Sequence, residues 1–170
     1  MTKFITYISI LFLLSSCWPS SVSLTDSGSM PPEWKTFSVK TLENNAPNAP
    51  LNYAVTLSER LKDGIQNNTR LLLNSEQGKG EIMIEGTITN YTINPVALQQ
   101  GDNAEKNRLT ISVQFTIFVN SPKEETMNLT STRFVDYSSS TDLAGEEANL
   151  LDEISTQVIQ DVVNKLLSNW

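Results

Sequence analysis

The chain has no histidine and a single cysteine among its 170 residues. Those two scarcities exclude the Ser-His-Asp and Cys-His nucleophiles, histidine- or cysteine-rich zinc sites, the common haem sites and any internal disulfide. Long apolar runs are equally scarce. One stretch near the N-terminus is apolar enough to enter a bilayer, but it is shorter than a usual spanning helix, so a polytopic membrane protein is excluded. Basic residues are in deficit, 12 against 19 acidic, for a formal charge of −7. The resulting pI near 4.6 argues against a nucleic-acid binder, which needs basic surface to displace counterions from phosphate. A polyanionic partner would have to be met by a local cluster of cations. What is present suffices for one folded domain, since 39% hydrophobic and 18% charged positions lie far from a disordered composition.

The first segment reads as an address. Lys3 precedes an almost unbroken apolar run from Phe4 to Leu14, the length of a signal-peptide core. Leu14-Ser15-Ser16-Cys17 follows and resembles the lipobox of bacterial lipoproteins. The resemblance implies that residues 1–16 are removed and that Cys17 carries a diacylglycerol thioether and an N-acyl chain. An ordinary secretory signal cut elsewhere is the alternative. Two or three acyl chains anchor stably where one does not, so a soluble domain tethered to a membrane is expected. Loss of residues 1–16, which hold Lys3 and no acid, takes the side-chain charge from −7 to −8. Residues 17–33, with WPSSVSLTDSGSMPPE after the cysteine, read as a lipidated N-terminus and flexible tether. Trp18 stands where an aspartate would resemble an inner-membrane retention signal, which favours the periplasmic side of the outer membrane.

Residues 34–170 read as a single α+β domain. Thr36 to Lys40 alternates with period two, and the proline-bounded stretch Glu43 to Pro50 ends it. Leu51, Ala54, Leu57, Leu61 and Ile65 recur at helical spacing, with Pro50 placed for the first turn. Arg70 to Asn74 then predicts a brief buried strand, parallel to the first. In Glu81 to Ile93, Ile82, Ile84 and Ile88 point one way, and Gly86 marks a bulge or a close backbone approach. Arg108 to Asn120 alternates without a break. Glu125 to Tyr137 continues the meander, with Phe134 out of phase, which predicts a twist or bulge. A second helix runs from Ala148 along the stripe Leu151, Ile154, Val158, Val162, Leu166 and Trp170. The expected fold is a two-layer sandwich, two amphipathic helices on one face of a mixed four- to five-stranded sheet. The other sheet face is left rich in threonine, serine and glutamine, either solvated or docked into a polar cavity.

No catalytic constellation emerges. Asp142, Glu146, Glu147, Asp152 and Glu153 fit a solvated helix start favoured by the macrodipole better than an acid and base pair. Gly78-Lys79-Gly80 lacks the continuation of a phosphate loop. The chain is expected not to be an enzyme, with no metal and no cofactor beyond the lipid on Cys17.

The ordered motifs bring a family into view. Pro31-Pro32-Glu33-Trp34-Lys35-Thr36, Glu43-Asn44-Asn45-Ala46-Pro47, Gly86-Thr87-Ile88-Thr89-Asn90-Tyr91, Pro95-Val96-Ala97, Asn107-Arg108-Leu109-Thr110-Ile111, Thr132-Arg133-Phe134 and Ser168-Asn169-Trp170 follow the lipobox. Taken together the chain resembles the LPS-assembly lipoprotein LptE in its Bacteroidetes form. The resemblance implies a non-enzymatic outer-membrane protein that partners the barrel LptD, sits in its lumen as plug and assembly factor, and contacts lipopolysaccharide. Lipid A phosphates are anionic and call for clustered lysine or arginine. Lys106, Arg108 and Arg133 are the candidates, expected to converge near one sheet end. The long Pro95 to Asn107 connection is a candidate partner-contacting loop. Two rival readings remain, a periplasmic lipoprotein of similar fold that binds a small ligand or cell-wall component, and an enzyme using carboxylate chemistry.

Overall fold

The computed structural model describes residues 30–76, 78–96 and 106–168. The signal segment, Cys17, most of the tether, the centre of the Pro95 to Asn107 connection and Trp170 lie outside the described residues. Strands β1 (Thr36–Val39) and β2 (Glu43–Asn44) precede helix α1 (Tyr53–Asn68) and strand β3 (Leu72–Leu73). Three long strands follow, β4 (Ile82–Val96), β5 (Lys106–Val119) and β6 (Glu125–Ser138), and then helix α2 (Leu143–Leu167). The sheet runs β3-β1-β4-β5-β6, with β2 pairing β4 beyond the end of β1. β1 is parallel to β3 and β4, whereas β4, β5 and β6 form an antiparallel meander. The mixed sheet with two helices matches the sequence expectation, and the two-residue strands β2 and β3 raise the count to six.

Parity along the strands decides which residues make the core. Ile82, Ile84, Ile88, Leu109, Ile111 and Ile117 are fully buried beneath the helices. Gly86 shares their face. A Cβ there would sit 2.7 Å from Leu42 Cδ2 and 2.8 Å from Phe115 Cδ1, so the glycine lets its cross-strand partner Phe115 and Leu42 fill the space above it. The bulge comes later, between Ile88 and Asn90, and shifts the phase so that Tyr91 turns inward. No such shift occurs in β6, whose register with β5 is continuous from Glu125 to Ser138. The expected irregularity at Phe134 is therefore absent. Phe134 lies on the polar face and is 48% exposed, while Val135 and Tyr137 beside it are buried.

Three expectations, two on the helices and one on β3, need correction. Leu51 does not open α1; it is 96% exposed in a turn closed by Tyr53 N–H on the Pro50 carbonyl, and Tyr53 takes its place in the core. Leu72 and Leu73 form a short exposed edge strand rather than a buried one, and Leu71 is the buried residue of that run. α2 begins at Leu143, ahead of Ala148, where the Asp142 side chain accepts from Ala144 N–H as an N-cap. Glu146 in its first turn and Lys165 in its last both suit the helix dipole. The two helices touch where Gly64 faces Ile159 so closely that an added Cβ would overlap Ile159 Cγ2. Met30, within the segment read as tether, is buried, and Arg70 donates to its carbonyl at 2.6 Å.

Candidate functional site

The uncovered face of the sheet is built from three-residue rungs across β4, β5 and β6. At its centre lie Glu85–Thr116–Asn128, Thr87–Gln114–Thr130 and Asn90–Ser112–Thr132. Hydroxyls and amides bond to one another here, as in Ser112 to Thr132 at 2.9 Å and Thr116 to Asn128 at 3.4 Å. The face is half-buried along β4 and exposed along β6, and its cross-strand pairs present donors and acceptors outward. The composition expected from the alternation is thus realised. Along its β1 side a small pocket of about 180 Å³ is lined by Lys40, Glu43, Glu85, Thr87, Gln114 and Thr116, with Lys40 and Glu85 3.6 Å apart.

Charge collects at one end of this face. Arg108 pairs across the strands with Asp136 through two hydrogen bonds of 2.6 and 2.8 Å, and its guanidinium lies 3.8 Å from the Phe134 ring centroid. The bidentate bond from Arg108 holds the Asp136 carboxyl below its ordinary range, with Lys106 adding to the effect. Lys106 sits two residues from Arg108 on the same face, opposite Ser138, and is exposed. The structure thus brings Lys106 and Arg108 together.

Arg133 is elsewhere. Odd positions of β6 face the helices, and Arg133 lies opposite the buried Ile111. Its Nε donates to Asp161 Oδ2 on α2 at 2.8 Å and its second nitrogen bonds Oδ1, while Ser131 Oγ donates to the same carboxylate at 2.5 Å. Burial pushes the Asp161 carboxyl up, but the bonds from Arg133 and Ser131 outweigh it and the net shift is down. The expected convergence of three cations is therefore corrected to a pair on the open face and an anchor beneath it. The aromatic and carboxylate partners of Arg108, Phe134 and Asp136, were missed from sequence because they depend on the β5–β6 register.

The acids at the start of α2 have structural partners. Glu147 accepts from the Tyr91 hydroxyl at 2.5 Å, Asp152 pairs with Arg60 and Asp142 caps the helix. Burial, followed by the bond to Glu147, raises the Tyr91 phenol above its ordinary range. Among the described residues no cluster of histidine, cysteine and acid side chains is arranged to hold a metal, and no helix is long and apolar enough to cross a membrane.

Comparison with known proteins completes the picture. No curated protein matches the chain. Among solved structures, the hypothetical protein CT253 from Chlamydia trachomatis aligns with a TM-score of 0.55 at 10% identity, over 80% of this chain and 99% of that one. Lipoprotein B from Nitrosomonas europaea gives 0.52 at 16% identity, over 89% and 92%. Protein XCC0632 from Xanthomonas campestris gives 0.55 at 12%, over 86% and 91%. At these identities the likeness is one of fold. The family model LptE, described as lipopolysaccharide-assembly, matches residues 34–166, which is nearly all of the folded domain just described, and on that match the chain belongs to the LptE lipopolysaccharide-assembly family.

Proposed function

We propose that this chain is an outer-membrane lipoprotein of lipopolysaccharide assembly, anchored through acylated Cys17 on the periplasmic side and partnered with an LptD-like β-barrel. The family match over residues 34–166 carries the reading. The domain acts without catalysis, as plug and assembly factor. Its polar sheet face supports this role, because rungs of threonine, serine, asparagine and glutamine suit a wet lumen wall that offers hydrogen bonds in place of apolar contact. One of the structural relatives, lipoprotein B from Nitrosomonas europaea, is itself a lipoprotein by name, which accords with an envelope location.

Lys106 and Arg108 are the proposed contacts to lipid A phosphates. Arg108 spends Nε and one terminal nitrogen on Asp136, which leaves further N–H donors on the guanidinium for an anion. Arg133, engaged by Asp161 on the helix side, serves to hold α2 rather than to meet lipopolysaccharide. The lipid on Cys17 is the proposed modification, with no further cofactor.

Affinity recovery of the tagged, lipidated protein from detergent-solubilised outer membranes of its host, with mass spectrometry of what stays bound, tests the reading. A near-stoichiometric large barrel protein is the expected outcome. Recovery of a monomer without a barrel overturns it and moves a ligand-binding envelope lipoprotein to first place.

A further inference from the structure

The two edges of the sheet differ in what they offer. β3 presents two residues, whereas β6 presents fourteen. β6 contains no proline or glycine, and its register with β5 has no bulge. Its charged residues are Glu125, Arg133 and Asp136, of which Arg133 and Asp136 are occupied by Asp161 and Arg108. From Thr126 to Thr132 the strand is uncharged. Long edges are normally blunted by lysine, proline, bulges or inward-pointing charges; β6 carries one such charge, Arg133, and the run from Thr126 to Thr132 carries none of these devices. Along Glu125 to Tyr137, the backbone groups directed away from β5 have no hydrogen-bond partner among the described residues.

A groove of about 550 Å³ runs beside this edge. Five consecutive residues, Leu129 to Arg133, line it together with Asp161, Asn164 and Lys165 of α2 and Ser168 just beyond its end. Successive residues of a strand point to opposite faces, so a groove that touches five in a row opens onto the backbone edge itself and not onto one face of the sheet. Unpaired backbone groups select another extended backbone, and an adjoining groove receives alternate side chains of the added strand.

We propose that the Leu129 to Arg133 edge of β6 is a docking site for an extended segment of a different polypeptide, which joins the sheet as its next strand. The neighbouring side chains define the segment's chemistry. Thr130 and Thr132 flank it on the open face, and Ser131, Asn164, Lys165 and the paired Arg133 and Asp161 flank it on the helix side. A segment hydrophilic on both faces, rich in asparagine, glutamine, serine or threonine, fits both environments. Two copies of a chain of formal charge −7 repel one another, which sets a second copy aside. The site lies apart from the open-face cations, and it stands or falls independently of whether the partner is a barrel.

Amide hydrogen exchange tests it. The lipidated protein isolated from host outer membranes with its bound partners is compared with the same protein stripped of them. Alternate amides between Met127 and Val135 are expected to exchange at least about tenfold more slowly in the complex, with those of β3 unchanged. Thr130→Pro and Ser131→Pro form the second arm. Because they are consecutive, one removes a donor to β5 and the other an outward donor only. The outward variant is expected to keep its melting temperature and recover at least about tenfold less partner; if both unfold, the exchange comparison decides. Equal exchange in the two preparations overturns the proposal. So does an outward proline that retains its partner, a stripped protein that is a dimer with these amides already protected, or isolation without any partner.

Discussion

Arg108 and Phe134 stand diagonally across β5 and β6 on the polar face, the guanidinium 3.8 Å from the ring centroid. The ring thus covers one side of a cation whose Nε and Nη2 are held by Asp136, which fixes its direction before any ligand arrives. If this oriented cation and Lys106 meet lipid A phosphates, Arg108→Ala combined with Lys106→Ala should weaken binding of purified lipopolysaccharide at least about tenfold, the scale of one or two charge-assisted bonds. Arg133→Ala should leave that binding within about twofold. Equal losses for both substitutions, measured by surface plasmon resonance, would show that the cations act by general charge.

This pairing also shows how far the sequence reaches. The alternation in β5 is strict enough to assign Arg108 to one face and Ile111 to the other, because a period of two admits no other arrangement. Arg133 obeys the same rule, with Leu129, Val135 and Tyr137 at matching parity, yet an inward cation on an edge strand defeats a reading that seeks apolar residues inside. Its partner Asp161 lies 28 residues away on α2, and no local pattern connects them. β2 and β3 are two residues each. They have no periodicity of their own and exist because β4 and β1 present edges to pair with.

Gly86 and Gly145 should respond to alanine in opposite directions. At Gly86 the new methyl meets Phe115 Cδ1 at 2.8 Å and Leu42 Cδ2 at 2.7 Å, so the core must shift, at a cost of about 1–3 kcal/mol. At Gly145 nothing lies within 4 Å, and helix propensity alone favours alanine by up to about 1 kcal/mol. Urea unfolding of the two variants reads both signs, and a neutral Gly86→Ala would mean that Phe115 is free to move.

Acid should release the anchor of α2. The Asp161 carboxyl is lowered from the ordinary 3.8 in the folded chain, so above that value the fold holds the full benefit of its pairing with Arg133. As pH falls below about 4 the unfolded chain takes up a proton first, and the benefit is lost as pH approaches the lower folded value. Asp161→Asn should cost about 1 kcal/mol at pH 7, discounted because the Arg133 side chain is 43% exposed. The difference from wild type should shrink towards pH 3 in urea titrations. A difference that holds constant across that range would assign the effect to packing and not to charge.

Alkali acts through Tyr91. Its phenol is buried against Glu147, and burial, followed by the bond to that carboxylate, raises its pKa above the ordinary 10.0. The folded chain therefore keeps a proton that the unfolded chain releases. Stability from this group is complete below about pH 10 and declines as pH rises through the folded value. Tyr53, whose phenol is also raised by burial, contributes in the same direction and keeps part of the slope when Tyr91 is changed. Tyr91→Phe should lower stability at pH 8 by about 1–2 kcal/mol, since it leaves the half-buried Glu147 without its donor. Above pH 10 the variant should lose less than wild type, so the two urea midpoints converge. Parallel lines from pH 8 to 11 would mean that the phenol ionises as freely in the fold as outside it, and that the 2.5 Å bond does not persist in solution.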